Sequence, residues 1–195
     1  MRELALTMTA AAEASESPEP VILLRLAKAG DVAAFEQLIV LHERRVFLIA
    51  LRLLRRREDA EDAAQEVFLR LHKHLRRFDD TREFPPWLYR VTVNVCRDLA
   101  RSRRRDWAVE VGEQRQVEDP TAEYERREQK RIVEEALGRL PEKERAAIVL
   151  RDLEGLPTKE VARILGSTAA TVRSQVSSAR LKIKEFADRF RRRRT

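Results

Sequence analysis

The sequence is poor in cysteine and glycine and has no long hydrophobic run. Cys96 is the single cysteine among 195 residues, which excludes an internal disulfide and a cysteine-based zinc cluster. Its position at the edge of an apolar helical face predicts a buried, inert thiol. No apolar stretch approaches the roughly 20 residues that span a bilayer, and the N-terminus lacks the basic and apolar blocks of a secretory signal. We therefore expect a cytoplasmic protein without membrane insertion.

The residues that are abundant indicate helices and an acidic partner. Hydrophobic residues make up 43% of the chain, enough for a core, while 37% are charged and only five are glycine. This balance favours small helical domains over one large domain, and we predict an all-α fold. The formal net charge of +7 and the pI near 10 indicate an anionic binding partner.

Neither a metal nor another cofactor is predicted. His42 lies on the apolar stripe of a long helix with no second ligand at helical metal spacing, so we interpret it as a core or boundary histidine. His72 and His74 are two residues apart and point to different sides of their helix. No catalytic cluster of carboxylates or metal ligands and no glycine-rich phosphate loop is visible, so we predict no catalytic residue.

Periodicity and punctuation divide the chain into two helical domains. The predicted segments are a disordered leader (1–20), an N-terminal helical domain (21–105), a flexible linker (106–122), a C-terminal helix-turn-helix domain (123–190) and a basic tail (191–195). In the first domain, Gly30 is predicted to end a short helix and Asp31 to cap the long helix that follows.

The stretch of residues 83–105 is strongly asymmetric. Wound as a helix at about 100° per residue, it turns one side toward a core, namely Leu88, Val91, Thr92, Val95 and Leu99. The opposite side forms the cationic rail, which consists of Arg90, Asn94, Arg97, Arg101 and Arg104. Pro85 and Pro86 suit the first helical turn, and Trp87 follows them as a large anchor.

A charged stripe on a surface helix is usually only a solvated face. Asp98, on the flank, is the one carboxylate near the cationic rail, so pairs within the helix cannot neutralise it. Asn94 adds an amide that can read a base edge, whereas guanidinium groups mostly contact phosphates. The rail therefore favours nucleic acid over a membrane surface as the partner.

A helix predicted to begin at Glu58 carries an acidic surface, which we define as Asp62, Gln65 and Glu66. Carboxylates in the first turns of a helix also stabilise its dipole, and this explains part of the pattern without any partner. The other interpretation is a docking surface for a basic protein.

The C-terminal domain has the pattern of a helix-turn-helix. Thr158 is predicted to cap a short helix, Gly166 to end it, and Thr168 to cap a longer helix with a polar face. The candidate DNA-reading side chains lie near the start of the longer helix: Thr171, Arg173, Ser174, Gln175, Ser177 and Ser178. The alternative is an ordinary helical hairpin without a DNA-binding role.

Five motifs in order resemble those of bacterial RNA polymerase sigma factors of the extracytoplasmic-function group. They are DAEDAAQEVF (59–68), WLYRVTVN (87–94), LPEKER (140–145), LEGL (153–156) and TVRS…AR (171–180). The resemblance extends over nearly all of residues 21–186. It implies an initiation factor without catalytic chemistry, whose partners are core RNA polymerase and promoter DNA, with an anti-sigma protein as a candidate inhibitor.

The resemblance also implies a role for each surface. The acidic surface would bind the clamp of the polymerase, and Phe78 with the cationic rail would open and read the minus-ten promoter element. Val91 and Asn94 would line a pocket for a flipped base, and the helix-turn-helix would read the minus-thirty-five element. Gln175, Ser177 and Ser178 are uncharged or short where many relatives carry basic or bulky residues, which predicts a weaker or different contact.

Two other functions compete with this interpretation. A stand-alone helix-turn-helix regulator would use the N-terminal domain for sensing or dimerisation, but it would need neither the acidic surface nor the cationic rail. A nucleic-acid enzyme would need a catalytic cluster that the sequence does not display.

Overall fold

The computed structural model describes residues 20–79, 81, 83–106 and 123–192, and for residues 103–106 and 123–130 it describes the backbone alone. Most of the predicted leader and linker and most of the basic tail therefore lie outside the described residues. All regular elements within the described ranges are helical, which confirms the all-α prediction. The α-helices are α1 Pro20–Ala29, α2 Val32–Leu54, α3 Arg57–His74, α4 Phe84–Asp106, α5 Glu123–Arg139, α6 Glu142–Ile148, α7 Thr158–Leu165 and α8 Ala169–Arg192.

Several predicted helix boundaries are confirmed by their local geometry. The Asp31 carboxylate accepts a hydrogen bond from the Ala34 N–H at 3.0 Å, and the Thr168 hydroxyl accepts one from the Thr171 N–H at 3.1 Å. Each bond satisfies a backbone donor that the first helical turn leaves without a partner. Gly166 ends α7 with φ of 62°, a left-handed conformation that glycine adopts without a Cβ clash.

Two predictions about single side chains are wrong. Thr158 does not cap α7, because Pro157 holds the extended cap position and Thr158 is already helical. The Thr158 hydroxyl instead accepts a hydrogen bond from Arg151 at 3.2 Å. Leu99 is only half-buried, although the pattern of α4 turns it toward the core.

The chain divides into two compact units, residues 1–41 and residues 42–195. In the described part of the first unit, Leu23, Leu24 and Leu38 are buried. The second unit contains two groups of helices, which we call the first bundle (residues 42–106) and the second bundle (residues 123–192).

The core of the first bundle lies where α3 packs against α4. It is built from residues at helical spacing that are completely buried: Ala60, Ala63, Val67, Leu71, Leu88 and Val95. Thr92 is also completely buried, and its hydroxyl donates to the Leu88 carbonyl at 2.9 Å, so this polar group carries no unpaired donor. This packing fixes which side of α4 faces away from the core.

The second bundle is a helix-turn-helix supported by α5 and α6. α8 packs against α5, α6 and α7, and its side chains Val172, Val176 and Ala179 are buried. A 3₁₀ turn, Leu75–Arg77, extends α3, and a π-helical turn, Val149–Leu153, extends α6. Gly155, with φ of 73°, then redirects the chain toward α7.

The two bundles are joined by one apolar cluster. Ile49, Tyr89 and Val93 of the first bundle are buried together with Leu150, Val161 and Ile164 of the second bundle, among others, and α7 packs directly against α4. Tyr89 and Val93 fall outside the core face that the sequence pattern indicates, because most of their partners in this cluster belong to the second bundle, more than 50 residues away in the chain. α4 therefore uses two apolar faces.

Candidate nucleic-acid interface

A pocket of about 450 Å³ opens between the end of α3, the turn that follows it and the start of α4. It brings together polar, cationic and aromatic side chains: Arg70, His74, Arg77, Phe78, Asp79, Trp87, Val91 and Asn94. Val91 and Asn94 both line this pocket, and their role toward a flipped base stays a prediction. Such a concave site, with polar and charged side chains around a partly exposed tryptophan ring, suits an unstacked base.

Aromatic rings support the pocket. Phe78 contacts Trp87 at 5.1 Å and Phe84 at 5.6 Å between ring centroids, and Phe84 in turn contacts His42 at 5.3 Å. Phe78 and Phe84 are 5% and 7% exposed, whereas Trp87 is half-exposed. The buried Phe78 therefore packs behind Trp87 and holds it in place, and Trp87 is the ring on which a base could stack.

Asn94 stands at the rim of the pocket with its side chain exposed. One turn earlier, Arg90 is exposed, and on the C-terminal side Arg97 is half-buried and Arg101 is exposed. None of these three arginines has an ion-pair partner among the side chains that the structure describes. The side chain of Arg104 lies outside the described residues. The described part of the cationic rail is thus one surface whose charges are left for an external anion.

Asp98, the carboxylate beside the cationic rail, does not neutralise it. Asp98 accepts a hydrogen bond from Arg70 on α3 at 3.2 Å, and Arg70 also donates to Glu66 at 2.7 Å. The pKa of Arg70 is raised, and the hydrogen bond to Glu66 is the largest cause. Arg70 thus connects one residue of the acidic surface to the wall of the pocket.

The acidic surface is only partly free. Asp62 and Gln65 are exposed, and neither has a polar partner among the described side chains. Glu66 is half-buried and shares its charge with Arg70. A basic partner would therefore meet the full negative charge of Asp62. The charge of Glu66 is already partly neutralised by Arg70.

The candidate residues of α8 fall into two groups. Thr171, Arg173, Ser174 and Ser177 are exposed on one side of its N-terminal half. Ser178 is half-buried and donates to Glu144 of α6 at 3.1 Å. The Gln175 carbonyl oxygen is buried and accepts no hydrogen bond from the described residues. The first group lies in solvent, whereas Ser178 is bonded to α6 and the side-chain oxygen of Gln175 is buried without a partner among the described residues.

His42 and Cys96 are among the buried titratable side chains of the first bundle. Burial raises the pKa of the Cys96 thiol to about 12, so the thiol is protonated and unreactive at neutral pH. Burial, and then the charge of Arg45, lowers the pKa of His42. In the described ranges, no three or more metal-ligand side chains are grouped to hold an ion, and no helix has the length and apolarity that a membrane crossing requires.

Sequence reasoning missed part of the pocket wall. Arg70, His74, Arg77 and Asp79 line it beside the predicted residues. The position of Arg77 directly before Phe78 was a signal in the sequence that Arg77 lies near the pocket. The orientation of Arg70 toward the pocket had no such signal, because it depends on a hydrogen bond to Asp98, 28 positions away.

The fold and these surfaces define a class of protein, namely an all-helical protein with a helix-turn-helix in one bundle and an aromatic pocket beside exposed arginines in the other. Sigma-70 region 2 matches residues 38–106, and sigma-70 region 4 matches residues 130–183. Together the two matches cover more than half of the chain. The chain belongs to the sigma-70 family of RNA polymerase sigma factors.

Curated relatives narrow the family to its extracytoplasmic-function (ECF) group. SigW of Bacillus subtilis, an ECF RNA polymerase sigma factor, is 32% identical over 84 residues, which cover 43% of this chain and 45% of SigW. SigM of Mycobacterium tuberculosis, another ECF sigma factor, is 35% identical over 103 residues, which cover 53% of each protein. The chain thus spans about half the length of the curated relatives it matches.

A solved structure resembles most of this chain. CnrH in complex with the cytosolic domain of CnrY aligns with a TM-score of 0.66 and 29% identity, covering 87% of this chain and 97% of CnrH. CnrH of Cupriavidus metallidurans is itself an RNA polymerase sigma factor.

Proposed function

We propose that this protein binds core RNA polymerase and directs promoter recognition, DNA melting and transcription initiation in the bacterial cytoplasm. The observation that carries the proposal is the pocket containing Val91 and Asn94 at the head of the cationic rail. The family membership and the helix-turn-helix of the second bundle support the same role.

The first bundle would capture one base of the minus-ten element. Extruding a base from the duplex costs a few kcal/mol. Stacking on an aromatic ring such as Trp87 returns about 1–3 kcal/mol per base, and phosphate contacts from Arg90, Arg97 and Arg101 add to it. The Asn94 amide would read the base edge, since an amide both donates and accepts hydrogen bonds.

The second bundle would read the minus-thirty-five element through the exposed side chains of α8. Thr171, Arg173, Ser174 and Ser177 are the candidates for base and phosphate contacts, because they lie on the solvent side of the helix start. Ser178 would act indirectly, because its hydrogen bond to Glu144 holds α8 on its own bundle. Gln175 would contribute less to DNA contacts than the exposed side chains, because its side-chain oxygen is buried.

The remaining surfaces would meet protein partners. The acidic surface on α3 would dock on a basic part of the polymerase, and Asp62 would contribute most because its charge is not shared. An anti-sigma protein remains a proposed inhibitor; the solved complex of CnrH with the cytosolic domain of CnrY supports a partner of this kind.

A stand-alone regulator is the competing function. It would bind duplex DNA through α8 without polymerase, and it would not melt DNA. The pocket and the unpaired cationic rail favour the sigma-factor role, because a regulator that reads only duplex DNA has no use for a base pocket.

The deciding experiment is transcription in vitro with purified core polymerase and a promoter library. We expect the protein to direct initiation at a defined subset of promoters. Asn94→Ala should reduce the open complex about tenfold, as expected for losing a base contact worth roughly 1–3 kcal/mol, and leave closed-complex binding nearly unchanged.

Ser102→Ala is the matched control, because Ser102 is an exposed polar residue on the same helix outside the pocket. Equal losses in open and closed complexes for Asn94→Ala would show that Asn94 only positions the backbone. A protein that never redirects core polymerase would support the regulator instead.

A further inference from the structure

Arg70 is a cation on the wall of the pocket, and two carboxylates fix its orientation. Its Nε donates to Glu66 of the same helix at 2.7 Å, and its Nη1 donates to Asp98 of α4 at 3.2 Å. The planar guanidinium is thus held from two sides, by one bond from each of the helices α3 and α4.

The Arg70 side chain still has donors to offer. A guanidinium carries five N–H groups, and the bonds to Glu66 and Asp98 use two of them. Its Nη2 has no hydrogen-bond partner among the residues that the structure describes. The side chain lines the pocket and is 37% exposed. N–H donors of Arg70 are therefore available to a molecule that enters the pocket.

The two carboxylates decide which kind of group Arg70 can bind. Neither Glu66 nor Asp98 lines the pocket, but both contact the guanidinium from outside it. One guanidinium and two carboxylates together carry a net charge of −1, so this cluster does not attract a phosphate. A neutral carbonyl oxygen is not repelled in this way, and it accepts a strong hydrogen bond from a charged donor.

Arg77 also lines the pocket, and it differs from Arg70 in both respects. Its side chain is exposed, and it has no ion-pair partner among the described side chains. An arginine with its full charge and freedom to turn suits a phosphate, whereas discrimination between bases requires donors at a fixed place. Arg77 therefore has the properties of a backbone contact and Arg70 those of a base contact.

The other polar groups of the pocket do not oppose this preference. Asp79 lines the pocket, but one of its carboxylate oxygens accepts hydrogen bonds from the Thr81 N–H at 3.1 Å and from the Thr81 hydroxyl at 2.7 Å. The exposed Asn94 amide both donates and accepts, so it suits either kind of base edge. The fixed donors of Arg70 are therefore the feature that favours a base with an acceptor.

We propose that Arg70 is a specificity-determining residue of the base pocket, in which its guanidinium donates to a carbonyl oxygen of the captured base. Glu66 and Asp98 are the residues that position it. Adenine is the one DNA base without a carbonyl oxygen, so the pocket selects cytosine, thymine or guanine over adenine. This inference rests on the proposed capture of a base, to which it adds a residue and a base preference.

The test uses the full chain bound to core polymerase, on promoter DNA whose minus-ten region is held open by mismatches. Because the DNA is already open, its affinity reports capture of the base without the cost of melting. Each unpaired base is replaced in turn by cytosine, thymine, guanine and adenine. At one position we expect the preferred carbonyl base to bind about tenfold more tightly than adenine, which is the discrimination of a good contact to a base edge.

Arg70→Met removes the donors and should abolish most of this preference. Arg77→Met is the matched control, because Arg77 lines the same pocket. It should weaken binding of all four bases by the same factor, reduce the slope of log K against log salt concentration by about 0.7, and keep the preference. If Arg70→Met fails to fold, Arg70→Lys decides. Lysine keeps the charge but has no planar set of donors, so the preference should be lost there too.

Two results would overturn the role of Arg70. One is an unchanged preference in a folded Arg70 variant, which is the result expected if the pocket selects bases by size. The other is an unsubstituted protein that binds adenine as tightly as the other bases at every position. A protein that gives one of these results but directs initiation keeps the proposed function. A protein that never directs initiation loses the proposed function and this inference together.

Discussion

His42 and Cys96 show how burial sets the chemistry of single residues in the first bundle. His42 lies against Phe84, at 5.3 Å between rings, beneath the aromatic residues that support the pocket. Its protonation would place a charge in an apolar site next to Arg45. Cys96 is 3% exposed and its raised pKa keeps it a neutral thiol, which behaves as a small apolar side chain.

We expect the stability of the protein to fall in mild acid because of His42. Its pKa in the folded chain lies below the ordinary value of 6.5, so between these two values the unfolded chain binds a proton that the folded chain does not. The stabilisation is fully present above pH 6.5 and is lost as pH falls toward the folded pKa. Urea denaturation at pH 7.5 and 5.5 should show this loss.

The control variants for this prediction are other histidine replacements. His42→Leu should lose much of the difference between pH 7.5 and 5.5, while His72→Gln, at an exposed position on α3, should retain it. A His42→Leu protein with the same pH dependence as the unsubstituted chain would assign the effect to other groups.

At the scale of elements, α3 and α4 each use more than one face. α3 turns Val67 and Leu71 into the core, presents Asp62 to solvent and sends Arg70 across to Asp98 of α4. The same helix therefore holds a candidate polymerase contact on one side and part of the base pocket on the other.

Charge reversal of the acidic surface should affect binding to core polymerase unequally. Asp62→Lys should weaken binding about tenfold, or about 1.4 kcal/mol, because its free charge becomes a repulsive one. Glu66→Gln should have a smaller effect, since Arg70 already shares that charge. Affinity can be measured by competition with a labelled sigma factor.

Glu61→Lys is the control, because Glu61 is exposed on the same helix and pairs with Arg57 at 2.8 Å outside the acidic surface. Unchanged affinity for Asp62→Lys would mean that the acidic residues serve only the dipole of α3.

At the scale of the whole molecule, the net charge of +7 is spread unevenly. Several carboxylates are paired with arginines elsewhere, as in Arg57 with Glu61 and Arg180 with Asp152. The described arginines of the cationic rail are left without such partners, so the rail should dominate long-range attraction to DNA.

Promoter binding by the complex with polymerase should therefore weaken steeply with salt, and the rail should account for part of the slope. Arg90→Ala and Arg101→Ala should each reduce the slope of log K against log salt concentration by about 0.7–0.9, the value for one phosphate contact. Arg57→Ala, with its guanidinium on Glu61, should leave the slope unchanged. A slope unaffected by all three substitutions would show that the rail does not contact phosphates in the bound state.

The sequence by itself determined the elements of this protein. The helical period placed the start of α3 and both ends of α4 within one residue of their observed bounds, and the caps at Asp31 and Thr168 and the turn at Gly166 followed from local chemistry. The family resemblance predicted that Val91 and Asn94 line one pocket. Such features depend on neighbours within a few positions, which the sequence displays directly.

The tertiary structure decided which side chains are free to act. Ser178 is hydrogen-bonded to Glu144, 34 positions earlier, and Arg70 to Asp98, 28 positions later. Glu154 is hydrogen-bonded to Arg45, 109 positions earlier. Periodicity indicates which side of a helix is polar, but it does not indicate which distant partner will meet that side. The division between residues that stay in solvent and residues that hold the bundles together is set by that distant packing, because burial and pairing depend on contacts that only the folded chain makes.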